Sequence, residues 1–168
     1  ELVTLQYNPY NRSLVPLMHQ HGIVVMDAFE DLSEAQAAFV DRYFEDNVYP
    51  VLTPMAVDAS RPFPLIRNKT LNIAALLSKK KGKAEKEEIE FATVQVPSVL
   101  PRLVHIPSED GNEKTFILLE QVIERNIDKL FLNYDVLCAY PYRVMRNADL
   151  SIDEDEAADL LKEIQKQL

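Results

Sequence analysis

The sequence predicts an α+β fold in which helices pack on a mixed, mainly antiparallel sheet, preceded by an N-terminal helix. Two pairs of strand-like runs each flank a turn-forming insert, and helix-period stripes precede, separate and follow them. The 168 residues, 47% hydrophobic and 27% charged, suffice for one core, since a chain of about 150 residues buries roughly 70% of its unfolded surface.

Leu2, Leu5, Leu14, Leu17 and Met18 recur at roughly helical spacing, so residues 1–21 read as a helix that Gly22 stops. Pro9 and Pro16 interrupt it: the helix either kinks or restarts near Ser13, which could cap a turn carrying Pro16. Ile23 to Met26 is a short apolar run with strand character. Ser33 followed by Gln36 makes a capping box, and Leu32, Ala35, Phe39, Tyr43, Phe44 and Val48 form the stripe of the helix behind it.

Tyr49 to Asn72 contains four of the ten prolines, Pro50, Pro54, Pro62 and Pro64. Proline fixes φ and donates no backbone hydrogen bond, which excludes a helix or a central strand. Val51, Leu52, Met55, Val57, Phe63, Leu65 and Ile66 are nevertheless wrong for a solvated linker, because each large apolar side chain left in water forfeits roughly 1.5 to 3 kcal/mol. The stretch reads as an ordered, extended crossover held on a core, with Asp58, Arg61, Arg67, Asn68 and Lys69 turned outward.

Thr70 to Leu77 and Ile89 to Val96 flank a charged tip, and the second run alternates with Ile89, Phe91 and Thr93 on one side and Glu90, Ala92, Val94 and Val96 on the other. Leu103 to Ile106 and Thr115 to Leu118 repeat the design around Asp110-Gly111-Asn112, a turn signal. Glu120 to Leu130 is helical in period, Val136 to Met145 returns to strand character, and Ser151 opens a last helix striped by Ile152, Ala157, Leu160, Leu161, Ile164 and Leu168.

No run of about 18 apolar residues predicts a membrane span, and no charged-then-apolar leader is present. Cys138 is the only cysteine, which excludes an internal disulfide and suits a reducing cytoplasm. The start at Glu1 and the unfinished helical pattern at Leu168 suggest a segment of a longer protein. Net charge is −9, distributed as −6 over residues 1–50 (8 acids, 2 bases), +1 over 51–150 (13 and 14) and −4 over 151–168 (6 and 2). A domain built to hold nucleic acid is usually basic overall, so no nucleic-acid partner is expected; a smaller anion meeting a few central bases is compatible.

His19 and His21 lie two apart and cannot chelate from one helix face. His105, on a strand with Arg102 nearby, reads more simply as a partly buried strand residue than as a phosphate contact. Asp153-Glu154-Asp155-Glu156 lacks the spacing of a calcium loop and suits the first turn of a helix. Lys79, Lys80, Lys81, Lys83 and Lys86 are offset by Glu85, Glu87 and Glu88 in a solvated tip. Arg143, Arg146, Asn147 and Asp149 either meet an anion, fix a turn or pair at an interface. No nucleophile motif, glycine-rich phosphate loop or Cys/His metal set occurs.

The block VYPVLTPMAVDASRPFPLIRNKTLNIAALL resembles the signature of bacterial polyphosphate kinase of the long, ATP-dependent type, in which PVLTP, an Asp, PFP and an Asn-x-x-Leu-Asn element occur in this order. FATVQVPSVLPRLVHIP and YRVMRNADLSIDEDEAADLL resemble two further blocks of that family, so the resemblance covers nearly the whole chain. Arg61 stands where a His commonly precedes PFP, Lys69-Thr70 replaces Leu-Ser, Tyr142 replaces Phe and Met145 replaces Thr. The resemblance implies that residues 1–22 end a helical N-terminal domain and 23–168 form the head, or middle, domain. It implies a cytoplasmic bacterial enzyme, with peripheral membrane association left open. That enzyme moves the terminal phosphate of ATP reversibly onto inorganic polyphosphate through a phosphohistidine, with Mg2+. It further implies a homo-oligomer whose catalytic C-terminal domains lie outside this segment. No histidine here matches the phosphohistidine motif, so no catalytic residue carries over and neither ATP nor Mg2+ is expected to be held by this segment alone. The tunnel or phosphate candidates are Arg61, Arg67, Asn68, Lys69, Asn72, Arg143 and Arg146; the alternative is a pure interaction module without phosphate contact.

Overall fold

A computed structural model describes residues 2–57, 66–79, 89–108, 111 and 113–145. Helix α1 (Leu2–Pro9) runs through a π-helical turn (Tyr10–Leu14) into α2 (Val15–Gln20). The two prolines therefore neither stop the helix nor restart it at Ser13. The residue before α2 is Leu14, itself helical and without a side-chain cap, and the Val15 N–H donates to the Tyr10 carbonyl five residues back. Pro16 brings no N–H and its ring crowds the carbonyl four residues earlier, and one widened turn accommodates both. Gly22, at φ +69°, ends the helix as expected. No residue of this helical arm is buried.

Strand β1 (Ile23–Val25) and a 3-10 turn (Phe29–Asp31) lead to α3 (Glu34–Tyr43). The capping box forms: Gln36 N–H donates to Ser33 Oγ at 3.4 Å and Ser33 N–H to Gln36 Oε1 at 3.1 Å. Gln36 Nε2 also donates to the Pro107 carbonyl at 2.9 Å, tying the helix start to a distant loop. Beyond α3 come a π-helical turn (Phe44–Val48) and a 3-10 turn (Tyr49–Val51) that accepts Pro50. The buried row is Gln36, Val40, Phe44 and Val48, one position on from the expected Ala35, Phe39 and Tyr43. Phe39 is instead 37% exposed and stacks on Tyr43. Both rows share Phe44 and Val48, and packing selects the row that points inward.

Strands β2 (Pro54–Val57), β3 (Leu71–Lys79), β4 (Ile89–Gln95) and β7 (Tyr134–Arg143) form a sheet in the order β2-β4-β3-β7, with every neighbouring pair antiparallel. The proline-rich stretch thus contributes an edge strand, the place where Pro54 is tolerated. Strands β5 (Leu103–Ile106) and β6 (Lys114–Leu118) form the second hairpin, but in a separate sheet, β1-β6-β5, where β1 runs parallel to β6. The hairpins do not share one sheet because Pro97 and Pro101 break the ladder after β4. Gly111, at φ +67°, supplies the left-handed residue of the second hairpin's turn.

Helix α4 (Leu119–Arg125) and a 3-10 turn (Ile127–Leu130) replace the single helix expected to Leu130. Helix α4 packs against β6 of one sheet and β3 and β7 of the other, and α3 packs against β5. Both sheets and both helices share one core, built on Ile73, Leu77, Ile106, Ile117, Ile123 and Phe44. The charged hairpin tip at 80–88 and the last helix expected from Ser151 lie outside the described residues.

Candidate functional site

Pairing of β3 with β7 sets Leu71 opposite Arg143 and brings residues 67–72 beside the end of β7. Lys69 adopts φ +63°, and its N–H donates to the Val144 carbonyl at 2.8 Å, extending the strand pairing by one further bond. Thr70 closes the turn: its N–H and Oγ1 both donate to the Arg67 carbonyl, at 3.4 and 2.8 Å. Arg143 Nη1 donates to the Lys69 carbonyl at 3.4 Å. Arg67, Asn68, Lys69 and Arg143 are all exposed, so three cations and an amide crowd one corner of the sheet.

Asn72 does not join them as an outward donor. It is 3% exposed, and its Nδ2 donates to the Thr70 carbonyl at 3.0 Å and to Thr70 Oγ1 at 3.1 Å. Its role here is to hold the turn that presents Arg67 and Lys69. Behind it, the Thr93 and Tyr142 hydroxyls are 2.7 Å apart, a hydrogen bond reaching from β4 to β7 across β3. Arg61 and Arg146 lie outside the described residues.

Three other bases are paired with acids. Arg102 grips Glu120 with Nε at 3.1 Å and with Nη2, which removes it from phosphate contact. Arg125 is bidentate to Asp41, at 2.8 and 3.0 Å, and Lys129 pairs with Glu45 at 2.6 Å. His105 is exposed and meets Phe116 edge to face at 5.3 Å. Among the described residues no three His, Cys, Asp or Glu side chains converge as a metal site. A cavity of about 290 Å³ at the start of α3 is lined by Asp31, Ser33, Gln36, Ser108, Glu113 and Thr115 among others; two acids and no base make it unsuited to phosphate.

Sequence reading missed the polar groups inside α4. Glu120 is 4% exposed, and its only signal was a charged residue within the apolar run Ile117 to Ile123. Half-buried Glu124 has its carboxyl pushed up to about 7, by burial first and then by the Glu120 and Glu30 carboxylates. Asp41 is held below the usual carboxylate range, chiefly by its hydrogen bond from Arg125. The two act in opposite directions on stability. Glu124 binds a proton in the folded state that the unfolded chain releases, so its contribution falls as pH rises from about 4.5 to about 7. Asp41 contributes above its unfolded value and loses that contribution as pH falls. Glu124→Gln is expected to raise stability at pH 8 by about 1 kcal/mol after allowance for solvent screening. The gain should vanish near pH 4.5, as urea unfolding at both pH values will report; an equal gain at both would remove titration as its cause.

The fold is an α+β domain that presents clustered cations on a tight turn at one end of an antiparallel sheet. The chain belongs to the polyphosphate kinase family, as residues 35–168 match the family model for the polyphosphate kinase middle domain. It is 51% identical over its whole length to a polyphosphate kinase of Lactiplantibacillus plantarum and covers 22% of that protein. A polyphosphate kinase of Halalkalibacterium halodurans is 47% identical over the whole chain, which covers 23% of it. The crystal structure of polyphosphate kinase from Porphyromonas gingivalis superposes with a TM-score of 0.74 at 28% identity, covering 88% of this chain and 22% of that one. The chain thus spans less than a quarter of the length of these relatives.

Proposed function

We propose that this chain is a non-catalytic middle domain of a polyphosphate kinase, whose parent enzyme transfers the terminal phosphate of ATP reversibly to inorganic polyphosphate. The phosphohistidine of that reaction lies outside this segment, in catalytic domains of the same chain, and the enzyme works in the cytoplasm as a homo-oligomer. In this reading residues 1–22 close a preceding helical domain, and the domain from residue 23 contributes tunnel wall and interface. The observation that carries the phosphate part is the β3–β7 pairing, which brings Arg67, Lys69 and Arg143 to one corner where no carboxylate among the described residues pairs with them. Cations held by backbone bonds rather than by acids keep their charge available to a polyanion.

The described residues do not fit a divalent ion, because no acidic or imidazole set converges. Mg2+ and ATP would be held by other parts of the parent enzyme, and what this chain supplies is positive charge along the polymer's path.

Long-chain polyphosphate is expected to bind the protein with an affinity that falls steeply as salt rises. A variant carrying Arg67→Ala, Lys69→Asn and Arg143→Ala should flatten the log affinity against log salt slope by about 2, at roughly 0.7 per lost phosphate contact. Asn is chosen at position 69 because it tolerates positive φ. An unchanged slope would remove these residues from the phosphate reading.

A second reading, an interaction module without phosphate contact, is favoured by one observation. The helical arm turns Leu2, Leu5, Leu14 and Leu17 to solvent at 79, 65, 49 and 54% exposure, a surface that asks for a protein neighbour. Absence of polyphosphate binding at low salt would favour this reading.

A further inference from the structure

The β1-β6-β5 sheet and the start of α3 enclose the cavity of about 290 Å³. Val24 and Thr115 lie opposite each other in the β1–β6 register, and Met26 continues the pairing, its N–H donating to the Phe116 carbonyl at 2.8 Å. Leu32, at the end of the 3-10 turn, adds to the apolar wall that Val24 and Met26 make. Thr115 is the exception on that wall. It is 4% exposed, and its hydroxyl has no hydrogen-bond partner among the described residues. A buried hydroxyl without a partner carries a desolvation cost that a valine of the same shape would avoid. The capping box does not supply the partner, because Ser33 and Gln36 bond to each other and to the Pro107 carbonyl. The rim is acidic, with Asp31 arriving from the 3-10 turn and Glu113 from the lead into β6. Neither carboxylate is paired with a base among the described residues.

We propose that this cavity binds a primary ammonium or guanidinium group carried on a short aliphatic stem. The complementarity holds group by group. An ammonium offers three donors and no acceptor, which two carboxylates and one hydroxyl oxygen can receive. The stem lies on Val24, Met26 and Leu32, as the methylenes of lysine and arginine lie along apolar surface. At about 290 Å³ the cavity sits at the lower end of the roughly 300 to 1,000 Å³ of small-ligand sites, which suits a ligand of this size. A metal ion fits less well, because among the described residues no three acidic, imidazole or thiol side chains converge. The same chemistry has two sources, a free amine or a basic side chain of another protein segment. The cavity belongs to a different sheet from the corner of Arg67, Lys69 and Arg143, so it stands or falls independently of the phosphate reading.

The test titrates the protein with n-butylammonium chloride at constant ionic strength and follows the backbone amide NMR signals of Val24, Gln36 and Thr115. Saturable shifts of all three are expected. Asp31→Asn with Glu113→Gln, both at exposed positions that the fold does not depend on, should weaken binding by at least about tenfold. Thr115→Val should weaken it about threefold. Tetramethylammonium, with the same charge and no N–H donor, should bind at least about tenfold more weakly than n-butylammonium. N-acetyl-lysine methylamide separates the two sources: if it binds as well, the site takes a lysine side chain, and if it is excluded while n-butylammonium binds, the site takes a free amine. No saturable shift with either amine, equal binding of tetramethylammonium, or unchanged affinity in the doubly neutralised variant would overturn the proposal.

Discussion

Phe44→Ala is expected to lower the unfolding free energy by about 3 to 5 kcal/mol. Phe44 has no solvent exposure and sits where α3 widens into its π-helical turn, with fully buried Val40 and Val48 one turn to either side. Tyr49 meets its ring edge to face at 6.0 Å, and the Lys129 ammonium lies 5.8 Å from its centroid while pairing with Glu45. Truncation would therefore leave a void that three turns of helix and the facing α4 cannot close, and it would loosen a cation held partly by the ring. Domains of this size are stable by about 5 to 15 kcal/mol, so the variant should be close to unfolding at 37 °C. Phe39→Ala, at a half-open position, is the control and should cost about 1 kcal/mol or less. Urea unfolding that gave both variants the same cost would show that the buried row is not the one described.

Arg102→Ala should be the second most damaging change, at about 3 kcal/mol, because it strands a buried carboxylate. Glu120 is 4% exposed and accepts from Arg102 Nε at 3.1 and 3.2 Å and from Nη2, while the arginine side chain keeps 55% of its surface in water. The asymmetry in burial predicts an asymmetry in cost. Glu120→Gln leaves a guanidinium that water can solvate and should cost about 1 kcal/mol. Adding Arg102→Ala to Glu120→Gln should then cost little more, since no buried charge remains to be stranded. A double-mutant cycle in denaturant measures this; simple additivity of the two changes would show that the pair does not act as a unit.

Local chemistry made much of the chain legible. The Ser33–Gln36 capping box, the stop at Gly22, the left-handed Gly111 and both hairpins follow from residues within a few positions of one another. The clean alternation from Ile89 to Gln95 separated the two sides of β4, and the structure turns the side of Ala92 and Val94 to the core. What misled was also local. The stripe of Ala35, Phe39 and Tyr43 was as regular as the row that packs inward, and two prolines looked like helix breaks where one widened turn absorbs them.

The candidate corner was legible as residue types and not as a place. Arg67 and Arg143 are 76 residues apart in sequence, and only the antiparallel register of β3 with β7 makes them neighbours. Sequence likewise could not separate Asn68 from Asn72: one is exposed on the turn, the other is buried and spends its amide on Thr70. Nothing near Arg102 in the sequence pointed to its partner, because Glu120 arrives from the far end of a hairpin.

The sequence by itself determined the α+β class, the capped and glycine-stopped helices, the paired hairpins and the family, because caps, turns and alternation act over a few residues and survive in any context. Only the tertiary structure decided that the hairpins belong to two sheets, which row of α3 is buried, which polar side chains are used up internally and which cations share a corner. These outcomes depend on contacts between residues distant in the chain, and local pattern carries no information about which of several equally regular faces will meet.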